Sequence, residues 1–370
     1  MQYIHQTIIL SLLSFVLYGC SEKGSKVNTE IVETKFLHVD VSVSTDFYDI
    51  SKNEKCPEFV ILEEDEKTMF VDIDRVIESK GLYFLLDRYS ARTAVSFTCD
   101  GKPFAKYGSI GQGPGEYTFP WDIDVWNDTV YILDSNSKKI NKYSRTGEYI
   151  SEIKLPFQAD AFKVLKNGNI IYNLMSTGDQ SPSLCLSDSS FCEFRYMLPY
   201  PKGYKSGLHT PDVFRVSNGK LTYYKSPSDT LYIINEDGIP DKGIIFDFKS
   251  KGLPEEIKLD FSKKNNTTSH LWFVNNPIYM NESLWLGLVE DGCQQYTILF
   301  SETENNCGGK VFNNKSSVYD YIEPIGSDSN GNIICVLNYD IAIQCIDYDI
   351  LPDEIKRKLE DGYMALLIFN

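Results

Sequence analysis

The feature that most narrows the fold is a repeat in the middle of the chain. Gly81-Leu82-Tyr83-Phe84-Leu85-Leu86-Asp87 leads through polar residues to Val95-Ser96-Phe97, then to Cys99-Asp100-Gly101-Lys102-Pro103-Phe104. The same order returns as Thr129-Val130-Tyr131-Ile132-Leu133-Asp134, Ile140-Asn141-Lys142-Tyr143 and Arg145-Thr146-Gly147-Glu148-Tyr149-Ile150. Tyr83 and Tyr131 stand 48 residues apart, and Gly101 and Gly147 stand 46 apart, within the roughly 40 to 50 residues of one propeller blade. Each unit reads as a short apolar strand, a polar loop, a second strand and a hairpin whose glycine supplies positive φ. One such sheet cannot cover both of its faces, so the units must stack, and a ring leaves only short protected edges.

Weaker echoes occur at Gly168-Asn169-Ile170-Ile171-Tyr172, at Asp229 to Ile234 with Asp237-Gly238, at Ser283-Leu284-Trp285-Leu286 and at Asn330-Gly331-Asn332-Ile333-Ile334. Counting from these anchors predicts an all-β fold: a six-bladed β-propeller of four-stranded antiparallel blades over residues 31–370. Aromatic residues at 13%, with 24 Tyr and 21 Phe, suit strands, where flat rings pack across pleated faces. The last residues, Met364 to Phe369, are apolar where a solvated tail is expected to be polar. That predicts ring closure, with Pro57 to Leu62 as the partner in the same blade. Pro352 to Leu359 is read as a short helix on the surface. No low-complexity linker divides the chain, which favours one domain.

The N-terminus has a different character. Ile8 to Leu17 is nearly all apolar, the length of a signal h-region and too short to span a bilayer as a helix. Leu17-Tyr18-Gly19-Cys20 resembles the bacterial lipobox, in which the cysteine thiol accepts diacylglycerol. Residues 1–19 are therefore expected to be a lipoprotein signal peptide, Cys20 the lipidation site and residues 20–30 a polar tether. Two or more acyl chains hold a protein on a membrane far better than one. The expected location is the outer membrane, facing the periplasm, because Ser21-Glu22-Lys23 lacks the acidic run that resembles a surface-export signal.

A net charge of −16 with no basic cluster argues against nucleic acid as a partner. Eight cysteines follow Cys20, an even number in an exported chain. Several lie in apolar runs, such as Cys335 and Cys345, where a thiol acts as a small hydrophobe, so mostly free, buried thiols are expected. Cys185 with Cys192, Cys293 with Cys307 and Cys335 with Cys345 are the local pairs that a bridge would join. No Cys-x-x-Cys spacing points to zinc or thioredoxin-type chemistry.

These residues resemble the six-bladed β-propeller lipoproteins of Bacteroidetes, relatives of NHL-repeat propellers. The most specific marker is Tyr107-Gly108-Ser109-Ile110-Gly111-Gln112-Gly113-Pro114-Gly115-Glu116-Tyr117, similar to the family's Gly-x-Gly-Pro-Gly-Glu-aromatic segment. Val60-Ile61-Leu62-Glu63, Lys138-Lys139-Ile140 and Ser228 to Tyr232 ahead of Phe246-Asp247-Phe248 agree with it, whereas Cys293 to Lys315 reads as an insertion. The resemblance implies fold and compartment more than activity.

Candidate chemistry is sparse. The Gly108 to Gly115 loop has no helix opening on its last glycine, so a dinucleotide reading fails. An ordered inter-blade connection accounts for it. A ligand-facing alternative would use Gln112, Glu116 and Tyr117, with Trp121 and Tyr89 lining a concave face. His38, His209 and His270 show no ligand spacing, Ser327 to Asn332 reads as a hairpin instead of a calcium loop, and sialidase and serine-hydrolase signatures are missing. No catalytic residue, metal or cofactor is assigned. The leading expectation is a non-catalytic binding or scaffold module for glycans, peptides or an envelope protein. The alternative is a lyase or glycoside hydrolase with its site at the central channel.

Overall fold

The computed structural model of the chain describes residues 33–40, 57–205, 208–264, 269–281, 284–290, 295–301, 307–308, 324–328, 330–343 and 348–369. The signal peptide, Cys20 and the tether lie outside the described residues, as do Cys56, Cys293, Cys345 and most of the expected insertion.

The repeated glycines have two reasons for being glycine. Gly101 and Gly147 close the hairpin between the third and fourth strands of their blades at φ of 79° and 91°, a region that L side chains avoid. Each hairpin tip also presses on the blade before it. A Cβ at Gly101 would lie 1.8 Å from the Ile61 carbonyl oxygen, and one at Gly147 would lie 2.4 Å from that of Lys106. The spacing seen in the sequence is thus the spacing of inter-blade contacts.

Six small sheets form the ring. Strand makes up 51% of the described residues and helix 9%, far from the usual 20 to 25% strand. Blade 1 holds Arg75–Ser79, Leu82–Asp87, Thr93–Thr98 and Pro103–Lys106. Blade 2 holds Pro120–Trp126, Thr129–Asp134, Lys139–Ser144 and Tyr149–Lys154. Blade 3 holds Ala159–Val164, Ile170–Leu174, Pro182–Ser187 and Phe194–Pro199. All three are antiparallel meanders in chain order.

Blade 4 is Phe214–Ser217, Lys220–Tyr224, Thr230–Ile234 and Pro240–Asp247. The echo at Asp229 to Ile234 therefore falls on its third strand, and the counterpart of the Tyr83 strand is Lys220–Tyr224. Glu33–Asp40 adds a parallel strand to its outer edge and also pairs with Cys307–Gly308. Blade 5 has an interrupted inner strand, Trp272–Phe273 and Ile278–Asn281, followed by Leu284–Glu290 and Gln295–Ser301.

Blade 6 closes the ring as expected. Met364–Phe369 pairs on one side with Ile333–Leu337, whose other edge carries Pro324–Ser327, and on the other side with Glu58–Leu62 from the chain's beginning. Asp353–Glu360 forms the expected helix after Pro352. It is more than an appendage, because Leu359 is fully buried in the seam between blades 5 and 6.

Each seam between neighbouring blades is one apolar cluster. Phe84, Tyr107, Ile123 and Ile132 join blades 1 and 2, Leu133, Phe162 and Tyr172 join blades 2 and 3, and Val60, Leu85, Phe97 and Leu366 join blades 6 and 1. Removing a large side chain from such a seam costs about 2 to 5 kcal/mol through lost transfer energy and the cavity left behind. Among the described cysteines, Cys185 and Cys335 are buried thiols outside any disulfide, and Cys99 and Cys192 are exposed ones. The Cys185–Cys192 bridge is not formed.

A candidate functional site at the central channel

The inner strands of the blades carry charged residues among apolar ones, and these meet at the waist of the channel. Arg75 of blade 1 donates to Asp122 of blade 2 at 2.8 Å and lies 3.6 Å from Asp212, just ahead of blade 4 on the far side. Asp212 pairs in turn with Arg215 at 2.8 Å. All four are nearly inaccessible to solvent. Burial alone would make Arg75 easier to deprotonate, but Asp122, Asp212 and Asp124 outweigh it and hold the charge. At Arg215 burial prevails over Asp212 and lowers the value, with Arg75 adding repulsion.

The carboxylates also staple blades together. Asp122 accepts the Phe162 amide at 3.0 Å, and Asp124 accepts the Val164 amide at 2.8 Å and the Lys163 ammonium, so both tie blade 2 to the inner strand of blade 3. Asp122 thereby accepts three hydrogen bonds and Asp124 two, of the roughly four that a carboxylate can take. By contrast, Arg215 Nε and Nη1 have no partner among the described residues, an unusual state for buried donors.

Asp212 separates two cavities. The smaller, of about 250 Å³, lies among Arg75, Lys163, Arg215 and Ser327. The larger, of about 540 Å³, opens at the other mouth between Asp72, Asp74, His209, Asn275, Glu290 and Asn338. Burial holds the Asp74 carboxyl above the ordinary carboxylate range, against the Arg88 amide that donates to it at 2.6 Å. Arg88, itself buried, donates through Nη1 to His209 Nε2 at 2.7 Å and through Nε to the Trp121 carbonyl at 2.6 Å. His209 itself is exposed at the mouth, yet desolvation of its ring first, then the Arg88 charge, push its pKa down to about 4.

Beside this mouth stands an aromatic group. Trp121 packs on Phe119 at 5.1 Å between ring centroids, and Tyr89 meets Phe119, Trp121 and His209 edge-on at 6.1, 6.4 and 6.2 Å. Tyr89 is 52% exposed and so presents a flat ring to solvent.

The four residues singled out from the sequence do not converge. Gln112 is exposed on its loop. Glu116 folds back to accept the Gly113 amide at 2.7 Å, and a Cβ at Gly111 would overlap its carboxylate. Tyr117, expected to stack on a ligand, lies fully buried in the seam of blades 1 and 2. The loop is locked by Asn141, which donates to the Glu116 carbonyl at 2.8 Å, and by Tyr143, which donates to that of Gly115 at 2.9 Å. Trp121 alone borders the mouth. The waist residues were missed, although a signal existed: Asp122-Ile123-Asp124-Val125 and Phe214-Arg215-Val216 place charges at alternate positions of strands that are otherwise apolar.

Among the described residues no group of three or more His, Cys, Asp or Glu side chains is placed to hold a metal. No helix of the described residues is long and apolar enough to cross a membrane. Among the described residues the channel lining thus forms neither a histidine cluster nor an apolar plug.

Comparison with known proteins places this architecture. A Bacteroides fragilis NCTC 9343 protein inferred to be exported superimposes with a TM-score of 0.70 at 17% identity, over 91% of this chain and 99% of that one. A duf4221-family member from Bacteroides vulgatus ATCC 8482 gives 0.55 at 11% identity, over 85% and 97%. At such identities the likeness is one of fold. No curated protein matches the chain. The family described as Domain of unknown function (DUF4934) matches residues 49–361, nearly the whole propeller, and the chain belongs to that family.

Proposed function

We propose that this protein is a lipoprotein of the cell envelope whose propeller binds a glycan or an extended peptide at the wider channel mouth without transforming it. The observation that carries this reading is the pairing of the exposed Tyr89 ring, backed by Phe119 and Trp121, with a cavity of about 540 Å³ edged by carboxylates and amides. Flat rings beside amide and carboxylate groups suit sugar faces and peptide backbones. Of the residues proposed from the sequence, Trp121 and Tyr89 belong to this site. Residues 1–19 act as the signal and Cys20 as the lipid anchor, which holds the propeller at the outer membrane on the periplasmic side. A Bacteroides fragilis protein of the same fold, itself inferred to be exported, supports export as the first step of this reading.

The test is a glycan and peptide screen on the chain from Ser21 to Asn370, followed by Tyr89→Ala and Trp121→Ala. Loss of about tenfold or more in affinity is expected for either variant, the scale of a buried aromatic anchor. A ligand whose affinity survives both substitutions overturns the site. Fatty-acid labelling that persists in Cys20→Ala overturns the anchor.

A further inference from the structure

A separate cavity lies at the seam of blades 3 and 4. Its volume is about 340 Å³, and its walls include Tyr200, Tyr204, Tyr223 and Tyr232, with Lys225 and Lys258 among the lining side chains. Small-molecule sites start at about this size, with apolar walls and a few placed polar groups.

The walls are held in place. Tyr200 and Tyr204 stack with centroids 4.5 Å apart, and Tyr200 donates to the Leu174 carbonyl at 2.6 Å. Tyr223 donates to Asn173 at 2.9 Å. Neither phenol is free to swing away, so the cavity keeps its shape without a ligand.

The two cations differ. Lys258 is engaged by Asp229 and lies 3.6 Å from Glu255. Lys225, with a side chain 16% exposed, gives one hydrogen bond to Tyr200 Oη at 2.5 Å and stands 3.8 Å from Asp160, beyond hydrogen-bonding distance. An ammonium has three donors, and here one is used, beside the Asp160 charge and the Tyr200 ring 5.0 Å away, so donors remain for a ligand. Desolvation lowers its pKa, against Asp160. In a chain of net charge −16, a recessed cation in an aromatic pocket is a local exception to the field.

We propose that this cavity binds a small ring compound bearing a carboxylate, with the acid on Lys225 and the ring against the tyrosines. The shared chemistry is a carboxylate on a ring, from either a sugar acid or an aromatic acid. The site is independent of the channel mouth.

Calorimetry on the chain from Ser21 to Asn370 tests it, with glucuronate and 4-hydroxyphenylacetate as probes and glucose and 4-hydroxyphenethyl alcohol as their neutral counterparts. At least one acid is expected to bind about tenfold or more tighter than its counterpart, as a charged hydrogen bond implies. Which acid it is assigns the source. Lys225→Met should erase the preference, and Trp121→Ala should leave it. On the unsubstituted chain, saturating acid should slow acylation of Lys225 relative to exposed Lys154, read by mass spectrometry, so the result does not depend on the variant folding. The proposal is overturned if neither acid outbinds its counterpart, or if one does and Lys225 is acylated at an unchanged rate.

Discussion

In blades 1 to 3 the four strands pair in chain order and nothing is added, whereas blade 4 extends that order with a further strand and blades 5 and 6 depart from it. Blade 4 takes a parallel strand from the N-terminus, blade 5 breaks its inner strand between Phe273 and Ile278, and blade 6 borrows its outer strand from Glu58–Leu62. The seams nevertheless look alike, each an apolar cluster of aromatic and branched side chains. What the ring requires is covered faces, and the route by which the chain supplies the cover is secondary.

The contrast predicts where the fold is vulnerable. The largest effect is expected from removing residues 364–370. Among the described strands Met364–Phe369 is the sole partner of Glu58–Leu62 and one of two partners of Ile333–Leu337, so its loss opens the ring and uncovers two seams. The truncated chain should lack a cooperative thermal transition by circular dichroism. Removing residues 21–40, which takes away the added parallel strand Glu33–Asp40, should leave such a transition in place. A cooperative melt of the C-terminal truncation would show that blades 1 to 3 stand without closure.

Next in size is the channel waist, which joins the regular and irregular halves through the Arg75–Asp212 contact. Arg75→Ala leaves Asp122 without its paired cation inside the protein, while Asp212 keeps Arg215, a loss of about 3 to 5 kcal/mol for a broken buried pair. Urea denaturation measures it. A cost under about 1 kcal/mol would mean that water reaches the waist and the two halves are joined by their seams alone.

The same contrast explains what the sequence disclosed. Blades 1 and 2 announced themselves because their hairpins keep Gly101 and Gly147 where a neighbouring carbonyl excludes any side chain. Blade 4 put its most recognisable segment on the wrong strand, since Thr230–Ile234 looks like the opening of a blade only when pairing is unknown. The closing strand was legible because Met364 to Phe369 is apolar at a chain end. The candidate sites were mostly hidden: Tyr117 and Trp121 have the same character as residues, and only pairing decides that one enters a seam and the other a channel rim. Arg88 and His209, 121 residues apart in sequence, carry no mutual signature at all.

A smaller effect belongs to that pair. His209 should titrate near pH 4 in the folded chain, against about 6.5 for an ordinary histidine. Between those values the unfolded chain binds the proton and the folded chain does not. The stabilising contribution is therefore complete above about pH 6.5 and is lost as pH falls toward 4. The imidazole C–H resonances in NMR report the midpoint directly, and Arg88→Leu should move it upward. A midpoint near 6.5 in the unsubstituted chain would mean that Arg88 does not hold the ring at the channel mouth.

The smallest effect concerns the added strand itself. His38 Nδ1 meets Asp247 at 2.7 Å, but the two side chains are 44% and 37% exposed, and pairs so open to water contribute about 1 kcal/mol at most. Leu37 and Val39 by contrast are buried against Ile244, Phe246 and Tyr279 in the seam of blades 4 and 5. Packing therefore holds this strand more than its ion pair does. His38→Ala should leave the global melting temperature within a degree or two, while Leu37→Ala should lower it measurably. Native-state hydrogen exchange separates the halves further. Amides of residues 33–40 should open locally and more readily in either variant, while those of Ile132 and Leu133 in blade 2 open only with the whole fold. If His38→Ala also speeds exchange in blade 2, the added strand is part of the cooperative ring, and the division between the two halves fails at its weakest edge.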